Sequence, residues 1–205
     1  MNKNIIFDVG ANNGATSREW LRISPNSLIY AFEPTPFLLN KYLYPLAKEV
    51  NNVKVIPKAV GINSGLIDFN IAGQADWGCS SIHEFSDNLN ETWPGRRDFK
   101  VTEVIQVKCI TMKDFVEEND IQRIDYFHCD TQGNDLNVLM SFGDKLSIIE
   151  EGEIEVFEQN PLYNKINNSR ESCQAFLEEN GYRVTGLSRN DRHGNEFNLT
   201  FKKIP

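Results

Sequence analysis

Apolar and polar positions alternate along the chain in a way that predicts strands followed by helices. Short uninterrupted runs rich in Ile, Val and Phe are typical of strands that are buried on both faces. We predict such strands at residues 4–9, 27–32, 53–56, 124–129 and 147–157. Residues 65–71 alternate instead, so a strand there is expected outside the main sheet or as an extension of it.

Helices are predicted where a capping residue precedes an amphipathic stretch. They are expected at 15–23, 134–142 and 169–179, after Thr35-Pro36, and after Thr111, which opens a capping box with Asp114 in place of Glu. Pro45 should kink the helix that follows Thr35-Pro36. Residues 182–188 and 196–202, joined by a turn-rich stretch at 189–195, predict a closing hairpin. The predicted fold class is α/β: a single domain with a mostly parallel sheet, helices on both faces and an antiparallel end.

Composition and charge narrow the classes of function. A chain of 205 residues with 40% hydrophobic positions fits one domain with a sizeable core. A net charge of −8 and a pI of about 5.0 argue against a nucleic-acid partner, which needs a basic surface. We expect neither a signal peptide nor a membrane span, because no apolar run has the required length. The four cysteines show no CxxC pairing, so free thiols in a reducing cytoplasm are expected.

The stretch FDVGANNG combines the end of the first strand with two glycines four residues apart. Ligands bind beyond the carboxyl ends of parallel strands, so Gly10 and Gly14 are expected where a ligand approaches bare backbone. The helix that begins there favours an anionic group, Asp8 suits a cationic amine, and Glu33 suits ribose hydroxyls. Asn12 stands where a nicotinamide fingerprint has its middle glycine, which weakens a dinucleotide and suits S-adenosylmethionine. A glycine turn without any ligand is the alternative.

Four stretches together carry a resemblance to a known family: DVGANNG, AFEP, KAVGINSG and IDYFHCDTQGNDLNVL. In this combination the chain resembles the FkbM-type methyltransferases, from about residue 5 to residue 155. The resemblance implies a Rossmann-like class I methyltransferase fold with a seven-stranded sheet, and O-methylation that depends on S-adenosylmethionine. It also implies a sugar, a glycan or another small molecule as acceptor, and it allows a deoxyhexose such as rhamnose.

Cofactor binding is expected at the ends of the first three strands and the turns that follow them: Asp8, Gly10, Asn12, Gly14, Glu33, Pro34, Ala59 and Val60. The chain departs from the family pattern on the acceptor side. His128 stands in place of Lys, Gln132 in place of Glu, and Asp135 in place of a longer Glu. These departures bear on the acceptor and on the base more than on the cofactor.

An acceptor hydroxyl needs a general base within hydrogen-bond reach, and three residues are candidates. Asp130 follows a buried strand at the ligand edge of the sheet, with a helix N-cap as its alternative role. His128, two residues earlier on the same strand face, could relay protons or be a buried histidine satisfied by backbone. Glu155 ends the next strand, where it could position the acceptor or assist Asp130. Asp130, Asp135 and Glu155 could also supply oxygen ligands for Mg²⁺, which stays open as a second cofactor.

Segment 72–100 is long and has little periodicity, so we expect a lid or a substrate loop there. Trp77 could stack on a sugar or cover the adenine, and an anchor that pins the loop is the alternative. Ser81 and His83 are further substrate-binding candidates, and His83 is a rival base. Arg96-Arg97 could contact an acidic acceptor, although such a pair is more typical of a solvated surface.

Two other functions fit the same type of sheet. A nicotinamide-dependent oxidoreductase would need the missing middle glycine and a hydride-site pair that cannot be placed. A non-catalytic cofactor-binding module would explain His128 and Gln132 as the decay of an active site. Among partners, a small-molecule or glycan substrate is expected, nucleic acid is not, and a homo-oligomer is left open.

Overall fold

The computed structural model describes residues 3–73, 77–96, 99–159, 161–190 and 195–205, with backbone only for Asn90 and Thr92. Asp76, Arg97 and much of the predicted turn at 189–195 lie outside these residues. Among the described residues, no helix combines the length and the apolar character that crossing a membrane requires.

Ten strands and seven α-helices are present in the described part of the chain. The strands are β1 Ile5–Val9, β2 Leu28–Phe32, β3 Val53–Ile56, β4 Ala59–Val60, β5 Gly65–Ile71, β6 Glu103–Ile110, β7 Tyr126–Cys129, β8 Glu151–Phe157, β9 Tyr182–Arg189 and β10 Glu196–Lys203. The helices are α1 Ala15–Ile23, α2 Pro36–Leu38, α3 Tyr44–Glu49, α4 Leu89–Thr92, α5 Met112–Glu118, α6 Asp135–Met140 and α7 Arg170–Glu179.

Seven of the described strands form the main sheet, in the order β3-β2-β1-β7-β8-β10-β9. The first five run parallel, and β10 pairs antiparallel with both β8 and β9. The predicted mostly parallel sheet with a closing hairpin is therefore confirmed. The strand order reverses between β1 and β7, and such a reversal opens a crevice at the carboxyl ends of the strands.

Helices cover both faces of this sheet because the strands are apolar on both sides. On one face Phe7 of β1 packs edge-on against Phe115 of α5, with ring centroids 5.8 Å apart. On the other face Ile6 belongs to a cluster with Leu43 and Leu46. Since neighbouring residues of β1 serve opposite faces, the continuous apolar run in the sequence has a direct structural cause.

A second sheet, with order β4-β6-β5, lies outside the main one in the described structure. Its β5 is the alternating strand predicted at 65–71, and its separate position confirms that prediction. The central strand β6 was not predicted, although its residues also alternate between buried and exposed. Since β4 pairs with β6, this sheet fixes Ala59 and Val60 next to the crevice.

Two local predictions differ from the structure in form. The break expected at Pro45 takes the shape of a π-helical segment, Leu39–Leu43, directly before α3; proline cannot donate the hydrogen bond that would continue the α-helical pattern. The strand predicted at 147–157 begins only at Glu151, because Gly143–Ile148 forms a 3₁₀ helix. Short apolar runs do not distinguish a strand from a buried helical turn.

Candidate active site

A pocket opens beyond the carboxyl ends of β1 and β2, beside the point where the strand order reverses. Its empty space, including open solvent at the mouth, measures about 570 Å³. We call it the first pocket. It brings together eight of the predicted site residues: Gly10, Asn12, Glu33, Pro34, Ala59, Val60, Trp77 and Asp130.

Glu33 is the buried carboxylate of the first pocket. Its Oε2 accepts a hydrogen bond from the backbone N–H of Asn12 at 3.0 Å, and its Oε1 accepts one from the backbone N–H of Thr35 at 2.8 Å. Burial raises the pKa of Glu33, while these hydrogen bonds act in the opposite direction. Each carboxylate oxygen can accept a second hydrogen bond, so Glu33 can still receive the hydroxyls of a ligand.

The glycines of the first turn are required by packing and by backbone geometry. Gly10 has φ +83°, and a Cβ there would lie 1.9 Å from the carbonyl oxygen of Asp130. Gly14 has φ +76° and contacts Leu43, and it does not line the first pocket. Both positions therefore favour glycine independently of any ligand, and Gly10 in addition lines the first pocket.

Trp77 closes one side of the first pocket. Its ring stacks on Phe37, with centroids 4.4 Å apart and planes inclined by 16°. Phe37 follows Pro36 at the start of α2, so the stack joins the long segment to the end of β2. An aromatic surface of this kind suits the flat face of a base or a sugar.

A second pocket adjoins the first and shares Asn12, Gly78, Asp130 and Gln132 with it. We call it the acceptor pocket, after the role that we propose for it once the family has been established. Its remaining lining mixes carboxylate, amide, cationic and apolar side chains: Cys79, Trp93, Arg96, Phe99, Glu155, Leu162, Asn190 and Glu196. Asp130 therefore lies on the wall between the two pockets.

A hydrogen-bonded chain of side chains extends from Asp130 along the lining of the acceptor pocket. Gln132 Nε2 donates to Asp130 Oδ1 at 2.7 Å and to Glu155 Oε2 at 3.1 Å. Asn190 Nδ2 donates to Glu155 Oε1 at 2.7 Å. The Tyr163 hydroxyl lies 2.8 Å from Gln132 Oε1. The two carboxylates are thus held apart and oriented by amide groups.

Burial is the main influence on both carboxyl groups, and it raises the pKa of Asp130 and of Glu155. The hydrogen bond from Gln132 and the charge of His128 act in the opposite direction on the pKa of Asp130. The charge of Asp130 raises the pKa of Glu155 further. A carboxyl group with a raised pKa is better matched to proton transfer near neutral pH than an ordinary aspartate.

Asp8 and His128 form a separate buried cluster. His128 Nδ1 lies 3.0 Å from Asp8 Oδ1, and the Ser17 hydroxyl donates to Asp8 Oδ2. Neither Asp8 nor His128 lines the first pocket or the acceptor pocket, and His128 faces a surface cleft beside Trp20. The structure thus places Asp8, which was predicted to bind the cofactor amine, and His128, the predicted proton relay, near α1. Both lie outside the two pockets that Asp130 lines.

Ser81 and His83 also lie behind the pockets rather than in their lining. The Ser81 hydroxyl donates to the Gln132 carbonyl at 2.8 Å and accepts from the His83 amide at 3.1 Å. Burial lowers the pKa of His83, an effect that Asn134 partly offsets. Ser81 therefore fixes the backbone of Gln132, and His83 is a neutral ring at neutral pH.

The carboxylates proposed for Mg²⁺ do not converge. Asp135 Oδ1 accepts from the Thr131 amide at 3.3 Å and its Oδ2 accepts from Asn168 at 3.3 Å. Within the described ranges, no group of three or more His, Cys, Asp or Glu side chains is placed to hold a metal ion. The structure gives the magnesium prediction no support.

Comparison with known proteins decides the family. Residues 8–184 match the family described as "Methyltransferase FkbM domain". The chain belongs to this family. The FkbM domain is also 26% identical, over 140 residues, to "2-O-methyltransferase NoeI" of Sinorhizobium fredii (strain NBRC 101917 / NGR234). That match covers 66% of this chain and 56% of the relative, so the chain spans about half the length of that protein.

Solved structures show the class I methyltransferase fold of this FkbM domain. Magnesium protoporphyrin IX methyltransferase from Synechocystis PCC 6803 with bound SAM has a TM-score of 0.52 at 8% identity, covering 98% of this chain and 70% of the other. M. capricolum TrmK in complex with S-adenosyl-homocysteine has a TM-score of 0.53 at 14% identity, and the match covers 98% of this chain and 62% of TrmK. At these identities the likeness concerns the fold alone.

Sequence reasoning missed most of the acceptor pocket of the FkbM domain. Asn190 and Phe99 of its lining belong to no recognisable motif, nor does Tyr163, which contacts Gln132; the topology of the fold brings them to this site. The one available signal was Gln132, which already stood out as a departure from the family pattern. Its contacts explain why an amide can occupy that position.

Proposed function

We propose that this FkbM domain is an S-adenosylmethionine-dependent O-methyltransferase that acts on a hydroxyl of a sugar, a glycan or a similar small molecule. The observation that carries the proposal is the position of Asp130 on the wall between two adjoining pockets. A base at that boundary can contact an acceptor in one pocket while a methyl donor occupies the other.

The first pocket fits S-adenosylmethionine by the chemistry of its side chains. Glu33 offers carboxylate oxygens for a ribose diol, and Trp77 offers an aromatic face for the adenine. Gly10 and Ala59 present backbone without bulky side chains. When bound, this cofactor supplies a methyl group already activated on sulfur, so the chain has to align the acceptor and remove its proton.

Asp130 is the general base of the proposed reaction. Its Oδ1 accepts a hydrogen bond from the Gln132 side chain. A carboxylate oxygen can accept more than one hydrogen bond, so Asp130 can still receive the proton of an acceptor hydroxyl. Because burial raises the pKa of Asp130, the carboxylate is a stronger base than an exposed aspartate.

The acceptor pocket suits a polyhydroxyl compound. Glu155 and Asn190 present oxygen and amide groups that hydrogen-bond hydroxyls, and Trp93 and Phe99 present apolar rings. The name of the relative, a 2-O-methyltransferase, agrees with transfer to oxygen. The lining of the pocket thus supports a polyhydroxyl acceptor, and this relative supports transfer to oxygen.

Calorimetric titration of S-adenosylhomocysteine tests the proposal, with NAD⁺ as the control ligand. We expect S-adenosylhomocysteine to bind the wild type and Glu33→Ala to lose most of that affinity. Methyl transfer to a panel of sugars, with and without added Mg²⁺, then identifies the acceptor.

Two outcomes would contradict the proposed function. Preference for NAD⁺ would favour the oxidoreductase alternative. Binding of S-adenosylhomocysteine without turnover on any hydroxyl acceptor would favour a non-catalytic binding module.

A further inference from the structure

Gln132 occupies an unusual place beside the proposed base. Its backbone has φ +56°, a conformation that costs a side-chain-bearing residue free energy. The Ser81 hydroxyl holds its carbonyl at 2.8 Å. From this backbone position the side chain lies between the carboxylates of Asp130 and Glu155.

The orientation of the Gln132 amide follows from its partners. Asp130 Oδ1 and Glu155 Oε2 are carboxyl oxygens, so the nitrogen of the amide must face them. Gln132 Oε1 then faces the Tyr163 hydroxyl at 2.8 Å, and this hydroxyl shares its single proton between Gln132 Oε1 and the Cys79 carbonyl, which also lies at 2.8 Å. The side chain therefore has a polar neighbour on three sides.

We infer that Gln132 is a positioning residue, which holds Asp130 and Glu155 as an ionisable pair and fixes the orientation of the Asp130 carboxylate on the wall between the two pockets. The inference rests on the proposed function for its kinetic consequence but not for its geometry. Nε2 donates one hydrogen bond to each carboxylate and neutralises neither. An apolar side chain of similar size would supply no hydrogen bond, and a carboxylate would add a third negative charge.

Other charged or titratable groups surround the pair and contribute to its titration. They are Asp8, His128, Asp135, Tyr163, Arg96 and Glu196. All of them are unchanged in a variant of Gln132, so a difference between variant and wild type reports on the amide alone.

The chain contains a matched control on its surface. Gln122 Nε2 donates to Asp120 Oδ1 at 2.7 Å, with the same spacing of two residues and the same distance as in the Gln132–Asp130 pair. That control pair is exposed. Gln122→Met and Gln122→Glu therefore repeat the chemical change where water can replace the lost hydrogen bond.

The first experiment is a ¹³C NMR titration of the side-chain carboxyl groups in the ligand-free protein. In Gln132→Met, we expect the apparent pKa values of the Asp130–Glu155 pair to rise by about one unit or more, because the hydrogen bonds that favour the ionised form are lost. Gln132→Glu should shift the pair in the same direction through charge repulsion. The corresponding variants of Gln122 should leave the titration of the Asp130–Glu155 pair unchanged.

The second experiment measures the pH dependence of methyl transfer. For Gln132→Met we expect kcat to fall roughly 10- to 100-fold with little change in KM, and the rising limb of the profile to move to higher pH. Gln132→Glu provides the same test if the methionine variant does not fold. Variants of Gln122 should keep the wild-type profile.

Unchanged carboxyl titrations in both Gln132 variants would overturn the inference. So would a rise in KM alone, because it would make Gln132 an acceptor-binding residue. Failure of the wild type to methylate any hydroxyl would count against the proposed function instead, and the NMR titration would still decide the role of Gln132.

Discussion

The first pocket and the acceptor pocket share a wall, yet they are built in different ways. Much of the first pocket comes from the ends of β1, β2 and β4 and the residues next to them. The acceptor pocket comes from residues spread along the chain from Asn12 to Glu196. A pocket made of consecutive turns leaves a pattern in the sequence, whereas one assembled by topology does not.

The largest effect on turnover should come from replacing Asp130, on the wall that the two pockets share. Asp130→Asn keeps the size of the side chain but removes the base, so we expect kcat to fall by roughly 10²- to 10⁴-fold. Affinity for S-adenosylhomocysteine, measured by calorimetry, should be nearly unchanged. Asp120→Asn, on the exposed surface, is the control. Equal losses of turnover and of cofactor affinity would mean that the two pockets are not functionally distinct.

The next largest effect should come from a substitution at Gly10, which lies against the Asp130 carbonyl. Gly10→Ala forces a Cβ against that oxygen, and we expect a loss of about 3 kcal/mol in the free energy of unfolding measured in urea. Gly181→Ala is the matched control, since its φ of +84° is nearly that of Gly10 but no atom lies within 4 Å of the new Cβ. It should lose only about 1 kcal/mol. Equal losses would show that backbone strain alone requires glycine.

A smaller effect concerns the cluster behind both pockets. Burial alone would lower the pKa of His128, but the hydrogen bond and charge of Asp8, with the charges of Asp130 and Glu153, outweigh it and raise the pKa to about 9. The stabilisation is therefore complete below the unfolded value near 6.5 and is lost as pH rises through about 9. We expect the free energy of unfolding to fall by on the order of 2 kcal/mol between pH 7 and 9.

His128→Gln isolates this contribution in the same denaturation series. The variant should be less stable than the wild type at pH 6 and should lack the decline above pH 7. Asp135, whose pKa burial raises to about 7, affects stability mainly at lower pH and is common to both proteins. A decline that persists in the variant would assign it to other groups.

The smallest effect should be confined to the first pocket. Trp77→Ala removes the ring that stacks on Phe37, and we expect about tenfold weaker binding of S-adenosylhomocysteine. Trp77→Phe retains an aromatic face and should lose less. With saturating cofactor, kcat should stay near the wild-type value. A larger loss in kcat than in affinity would place Trp77 in contact with the acceptor.

Sequence patterns predicted the main sheet well because its strands are apolar on both faces and its helices begin at recognisable caps. Thr111 is an example, since its hydroxyl accepts from the Asp114 amide as a capping box requires. The sequence also indicated Glu33 as a pocket residue, because Glu33 directly follows an apolar strand. It could not give the partners of Asp8, because the side chain of a strand residue meets whatever the neighbouring strand presents. That neighbour, His128, lies 120 residues away.

Ser81 has a consequence for the segment predicted to be a lid. Its amide and carbonyl pair with Asn70 at 3.0 and 2.8 Å, and its hydroxyl holds Gln132. The segment is thus attached to the body of the protein near its middle. Trp77 lies before this attachment and lines the first pocket, and Trp93 lies after it and lines the acceptor pocket. A single segment thus contributes an aromatic ring to each pocket, and Ser81 ties it to Gln132, which lines both.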